Sequence, residues 1–262
     1  MRQIPTRLLT LTVLAALLIA AACNGGDDDD TEVTGETGSA TPTTLEAQLA
    51  GILLQDDEIP EGLQGSGLAF STNEDLAGPS QEELARLTAL GRQLGVDLTF
   101  IPTEQLPENV PVRGGIQNSA SLYTNPNGAS ESYRLTEQEA RTTDWKTLYD
   151  DLTDINVNEV DITVGDESYW FRITGFDECT IEPVGSSTPN PALPSPTCPP
   201  AKLVVDDYIL FRSGRVRSLV KVLSAHPGDS PPDIYQEQVL EWANIVVQRA
   251  LETFPVTSSP AP

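Results

Sequence analysis

Apolar positions recur at helical spacing in four places. Leu45, Leu49, Ile52 and Leu53 predict a helix over Leu45–Leu54, stopped by Asp56, Asp57 and Pro60. The following LLQDDEIPEGL reads as a turning or extended link, because a residue before proline avoids the helical region. A second helix is predicted over Gln81–Leu94, with Ser80 and Glu83 at capping-box spacing. Its stripe is Leu84, Leu87, Leu90 and Leu94, and Gly95 is its expected terminator. A third helical stretch starts near Ala129, and Asp144, Trp145, Leu148, Tyr149 and Leu152 mark more helix. The last helix opens at Ser230–Asp233, carries Tyr235, Val239, Trp242, Val246 and Ala250 on one stripe, and stops at Pro255.

Period-two patterns lie between these helices. Val96, Leu98 and Phe100 predict a short strand or edge, and Gly115–Thr124 a further strand. Val157, Val160, Ile162 and Val164 end at a Gly165-Asp166 turn, and Tyr169, Phe171 and Ile173 alternate after it. Leu203–Phe211 is rich in β-branched and aromatic residues, Ser213-Gly214 is the expected turn, and Val216, Val220 and Val222 follow. The order predicts one α+β domain over about residues 45–255. An antiparallel sheet is packed by helices on one face, with a loop inserted between its strands. Residues 256–262 form a disordered tail.

The amino-terminal segment has a different character. Arg2 and Arg7 precede Leu8–Ala22, an uncharged apolar run of 15 residues, and Cys23 follows at once. A basic lead, a short apolar core and small residues before a cut mark an export signal. A membrane span needs about 20 residues. The sequence LLIAAAC at 17–23 resembles the lipobox of bacterial lipoproteins, although Ala20 stands where leucine is commoner. That resemblance implies a signal peptide over 1–22, lipidation of Cys23 and display on the extracytoplasmic face of the cell membrane. Residues 23–44, rich in Gly, Thr and Asp, read as an acidic disordered tether, because so little apolar surface cannot offset ordering entropy.

Charge narrows the partners. The chain carries 39 acidic residues against 15 basic ones, and loss of Arg2 and Arg7 would take the net charge from −24 to −26. Nucleic acid is excluded as a partner, since its phosphates need Lys and Arg. The membrane is met through the lipid anchor, and the domain itself is expected to meet an envelope protein or a small ligand. With Cys23 set aside, Cys179 and Cys198 remain as an even pair around TIEPVGSSTPNPALPSPT. In an exported protein such a pair predicts a disulfide closing the inserted loop, worth about 3 kcal/mol in the chain-entropy picture.

The run VGDES at 164–168, the aromatic strands, LFRSGRVRSLVKV and the terminal helix, with NPNGASESYR at 125–134, look like a family of small extracytoplasmic bacterial lipoprotein domains. More distantly they are similar to extracellular sensor domains of some bacterial receptor kinases. The likeness spans about residues 110–253 and implies a binding or sensing role. The Cys179–Cys198 excursion departs from it.

No catalytic set emerges. His226 is the only histidine and is expected in a loop, and neither a GxSxG elbow nor a phosphate-loop motif is present. The acid pairs Asp150-Asp151, Asp166-Glu167 and Asp206-Asp207 could serve a glycosidase by count alone. Asp166 better suits a turn, where it accepts backbone amides. Asp154-x-Asn156-x-Asn158 begins like a calcium loop but has Glu159 where glycine belongs, and Asp27–Asp30 reads as solvated tether. No metal and no cofactor are expected. Trp145, Trp170 and Trp242 read mainly as core. Arg212, Arg215 and Arg217 cluster beside a hairpin and are the candidate grip for an anionic ligand. The expected function is a non-enzymatic binding module, with a lipid-carrying protein and a carboxylate-dependent hydrolase as the alternatives.

Overall fold

A computed structural model describes residues 44–103, 114–150, 152–177, 202–226, 230–231 and 233–255. The chain divides into Met1–Pro42 and Thr43–Pro262, and the described residues belong to the second unit. Cys23, Cys179, Cys198, the signal segment, the tether to residue 43 and the tail 256–262 lie outside the described residues.

The architecture is α+β: among the described residues seven strands form one sheet, accompanied by six α-helices. The strands are β1 (Leu63–Ser71), β2 (Arg92–Pro102), β3 (Ile116–Tyr123), β4 (Thr153–Val160), β5 (Glu167–Asp177), β6 (Lys202–Ser213) and β7 (Val216–His226). Their order in space is β1-β2-β3-β7-β6-β5-β4, with every neighbouring pair antiparallel. The helices are α1 (Thr44–Ala50), α2 (Asn73–Ala77), α3 (Gln81–Ala89), α4 (Pro126–Thr142), α5 (Trp145–Leu148) and α6 (Asp233–Thr253).

Helices cover both faces of the sheet, not one as the sequence order suggested. On the first face α6 lays Tyr235, Val239, Trp242 and Val246 over Val205, Ile209, Phe211, Val220 and Val222. Leu49 of α1, with Ile52 and Leu53, packs on Leu94, Val96, Leu122 and Val216 at the other end of that face. On the second face Tyr133, Trp145 and Tyr149 meet Tyr169, Phe171, Ile173, Tyr208 and Leu210. Phe171 and Tyr208 stack there at 4.7 Å, with Trp145 tilted onto Phe171 at 5.0 Å. Strand alternation sends neighbouring residues to opposite faces, so both faces need an apolar cover.

Several boundaries differ from the sequence reading. The first helix stops at Ala50. The second ends at Ala89, because Gly91 (φ 71°) turns the chain and Leu94 joins the strand alternation of Val96, Leu98 and Phe100. That strand is interior, paired on both sides, and 11 residues long, not a short edge. β1 and α2 were not anticipated. LQGSGLAFS offers few side chains, and its ladder shifts register between Gly65 and Leu68, as suits an edge strand. α4 starts earlier than Ala129, at Pro126, where the Asn125 side chain accepts from the Gly128 amide. The stretch around Trp145 is a single turn, and β4 stops at Val160, short of Ile162 and Val164. The hairpin turn is Gly214-Arg215, since Ser213 still pairs with Val216. His226 ends β7 and is buried edge-on against Tyr235, not in a loop.

Candidate functional site

Asp206 and Asp207 are both fully buried, at the centre of the sheet. As neighbours on a strand they point to opposite faces, so they cannot flank one scissile bond. Asp207, on the α6 face, takes a bidentate ion pair from Arg172 (Nε 2.9 Å, Nη2 3.1 Å) and a bond from Trp170 Nε1 at 2.6 Å. Asp206, on the α4 face, accepts from the Tyr149 hydroxyl and from the Tyr208 hydroxyl at 3.2 Å, with Lys221 Nζ at 3.2 Å. Burial raises the Asp206 carboxyl above its ordinary range, and Lys221 and the tyrosines oppose that shift. Burial, reinforced by the Asp206 charge, holds both hydroxyls in their neutral form. Asp166 sits at the turn before β5, where its Oδ2 accepts from the Gly214 amide at 2.8 Å. Asp151 lies outside the described residues. Among those residues no group of three or more His, Cys, Asp or Glu is placed to hold a metal.

The three candidate arginines do not form one cluster. Arg212 is neutralised by Asp166 (2.9 Å) and Glu167. Arg215, in the hairpin turn, lies over the Phe254 ring at 5.2 Å. Arg217 lies on the α4 face opposite Arg212 across the ladder, and is partly open to solvent. Its Nη1 donates to Ser132 (3.0 Å) and Thr136 (2.7 Å), both on α4. Trp145, Trp170 and Trp242 are buried in the core.

Beside Arg217 the α4 face becomes polar. The register aligns Asp97 with Ser119 and Leu219, and Thr99 with Gln117 and Lys221. Alternation turns Asp97, Thr99, Gln117 and Ser119 to the same face as Arg217, and all four remain partly open to solvent. Gln117 hydrogen-bonds Asp97, while burial raises the Asp97 carboxyl against the pull of Arg92 and Arg217. Glu139 of α4 borders this tray. Burial raises its carboxyl too, opposed by Arg86 of α3 and by Arg217.

Arg92 closes the tray at the α3 end. Its guanidinium is buried and meets only neutral acceptors: Ser71 O and Oγ, Asn73 Oδ1 and Ser121 Oγ, at 2.8–3.4 Å. Burial pushes its pKa down to about 10, and Arg217 pushes the same way. Gly95 makes this placement possible, since a Cβ there would lie 2.0 Å from Arg92 Nη2. Of these tray residues, only Arg217 was singled out from sequence. The available signal was a charged residue, Asp97, inside the alternating run LGVDLTF, and the polar positions of IQNSASL.

No family model and no curated protein sequence matches this chain. Among solved structures it is similar to the extracellular domain of PknH from Mycobacterium tuberculosis, at 10% identity and a TM-score of 0.43, over 79% of this chain and 96% of that one. A fainter likeness is to the human StarD13 (DLC2) lipid transfer and protein localization domain, at 12% identity and a TM-score of 0.16, over 62% of this chain and 85% of that one. Neither likeness establishes a shared fold. No helix among the described residues is long and apolar enough to cross a membrane.

Proposed function

We propose that this domain is a non-enzymatic module, held outside the cytoplasm by lipid on Cys23, that binds a small polar ligand on the tray of β2, β3 and β7. The observation that carries the reading is the uneven cover of the α4 face. Over β5 and β6 its apolar residues are packed under α4 and α5, whereas over β2 and β3 it offers Asp97, Thr99, Gln117 and Ser119 to solvent. Sites of this kind combine a rigid frame with a few convergent polar groups. The open strip is polar, which favours a hydrogen-bonding ligand over the acyl chain of the lipid-carrier alternative. The buried acids, Asp206 and Asp207, are engaged with tyrosines, a lysine, an arginine and a tryptophan, as suits a framework role.

The test is amide chemical-shift mapping of the full chain titrated with the low-mass fraction of a host envelope extract. Shifts are expected at Asp97, Thr99, Gln117 and Ser119 and in the first half of α4. Shifts confined to other surfaces, or none, refute the assignment.

A further inference from the structure

Six arginines of the described residues have a carboxylate at ion-pair distance: Arg86, Arg134, Arg141, Arg172, Arg212 and Arg249. In a chain with 39 acids against 15 bases, that is what Coulomb attraction produces. Arg92, Arg215 and Arg217 break the pattern; Arg215 lies over the Phe254 ring, whereas Arg92 and Arg217 lie beside one another. Arg92 is surrounded by neutral acceptors, and Arg217 has its Nη1 fixed by two hydroxyls of α4. The two cations sit close enough to disfavour one another. A charge held away from water without a direct counter-ion is costly. The nearest acids, Asp97 and Glu139, act on Arg217 through space and are themselves raised by burial.

We infer that Arg217 seats the carboxylate of a hydroxyl-rich ligand, an acidic sugar of the uronate type, with Asp97, Gln117 and Ser119 receiving its hydroxyls. This rests on the tray being the binding face. Arg217 lies two strands and two residues from Asp97, about 12 Å between Cα atoms from sheet spacings. The polarity of the tray fixes the orientation. A ligand carboxylate is attracted at the Arg217 end, where Arg92 adds to the field, and repelled at the Asp97 end. Asp97, Gln117 and Ser119 supply two acceptor-rich groups and an amide donor, the set that hydroxyls require. Fixing Arg217 through Nη1 leaves its fork held in place before the ligand arrives, which lowers the ordering cost of binding.

The experiment titrates the full chain with D-glucuronate and with D-glucose, read by amide shifts and calorimetry. Glucuronate should bind more tightly than glucose, with shifts at Ser119, Arg217 and Thr136, and added salt should weaken it alone. Arg217→Gln should lose about 10- to 100-fold in glucuronate affinity and leave glucose unchanged. Arg217→Lys keeps the charge and should retain part of the preference, even where the glutamine variant folds poorly. Asp97→Asn should weaken glucose, and weaken glucuronate less, because it also relieves the repulsion on the carboxylate. Glucuronate binding no tighter than glucose, while both shift the tray, overturns the carboxylate seat and leaves the binding face standing. Tray amides that respond to neither sugar, or a glucuronate preference that survives Arg217→Gln, also overturn the seat. The extract titration then decides the binding face by itself.

Discussion

Replacing Asp207 with alanine tests the energetic centre of the sheet. The carboxylate is fully buried and is hydrogen-bonded twice by Arg172 and once by Trp170, with Tyr235 also bonded to it. The Arg172 side chain is only 13% exposed. The substitution leaves that guanidinium, and the Trp170 indole N–H, without their acceptor in a site water barely reaches. Removing one partner of a buried pair costs about 3–5 kcal/mol. At about 2–4 °C per kcal/mol for a domain of this size, the midpoint should fall by roughly 6–20 °C. Urea denaturation of wild type, Asp207→Leu, Arg172→Met and the double variant Asp207→Leu/Arg172→Met forms a coupling cycle, with Asp207→Ala measured beside it. The double variant should recover much of the loss, because two apolar side chains need no counter-charge. A loss below about 1 kcal/mol for Asp207→Ala, or a double variant as unstable as the sum of the singles, would refute the view that the pair is tightly coupled.

Three further outcomes are expected. Trp242→Ala removes a fully buried ring whose Nε1 donates to Glu58 O at 2.9 Å, and should cost about 3–5 kcal/mol in urea melts. Asp206 has a raised folded-state pKa, so the folded protein holds its proton more tightly than the unfolded chain. Its contribution is therefore present below the unfolded carboxylate range and fades as pH rises through the folded value. Stability measured from about pH 3 to 8 should slope less with pH in Asp206→Asn than in wild type, and parallel curves would count against this. Growth with labelled palmitate should label wild type but not Cys23→Ala, and label persisting in the variant removes the anchor.

The parts of the fold that could be read from sequence are those where the local pattern agrees with the final packing. The β6–β7 hairpin was visible because Leu203–Phe211 and Val216–Val222 alternate around a glycine, and the error was one residue in the turn. α6 was visible from its stripe. β1 was not, since Gly65, Ser66 and Gly67 carry almost no side-chain signal and an edge strand buries little. Leu84, Leu87, Leu90 and Leu94 kept helical spacing across a real break, which only the left-handed turn at Gly91 decides. The tray was hidden for another reason. Its residues come from three strands far apart in sequence, and only the register brings Asp97, Ser119 and Arg217 to one face. The arginine trio was legible as composition but not as geometry. Arg212 is claimed by the Asp166-Glu167 pair, and the turn carries Arg215 to Phe254.

The adjacent acids of β6 bear on how this sheet keeps its order. Asp207 is closed by Arg172 from β5, and Asp206 by Lys221 from β7. Each face of β6 thus carries one acid whose basic partner sits on a different neighbour. A slip of one residue would exchange the faces of β6, yet it would set one of the two acids in the other's place, still within reach of Arg172 or Lys221. It would also drive Tyr208 and Leu210 out of the stack with Phe171 and Trp145 and under α6. Apolar surface alone discriminates poorly between such registers here, because both faces are apolar and both are covered. The discrimination comes from what each face holds besides charge: the stack of Tyr208 on Phe171 on one side, and the Trp170 donor to Asp207 on the other. The position of Arg217 relative to Ser119 and Asp97 depends instead on the β7–β3 and β3–β2 ladders, where Ala120 and Leu122 pair across to Ser218 and Val216 and to Val96 and Leu94.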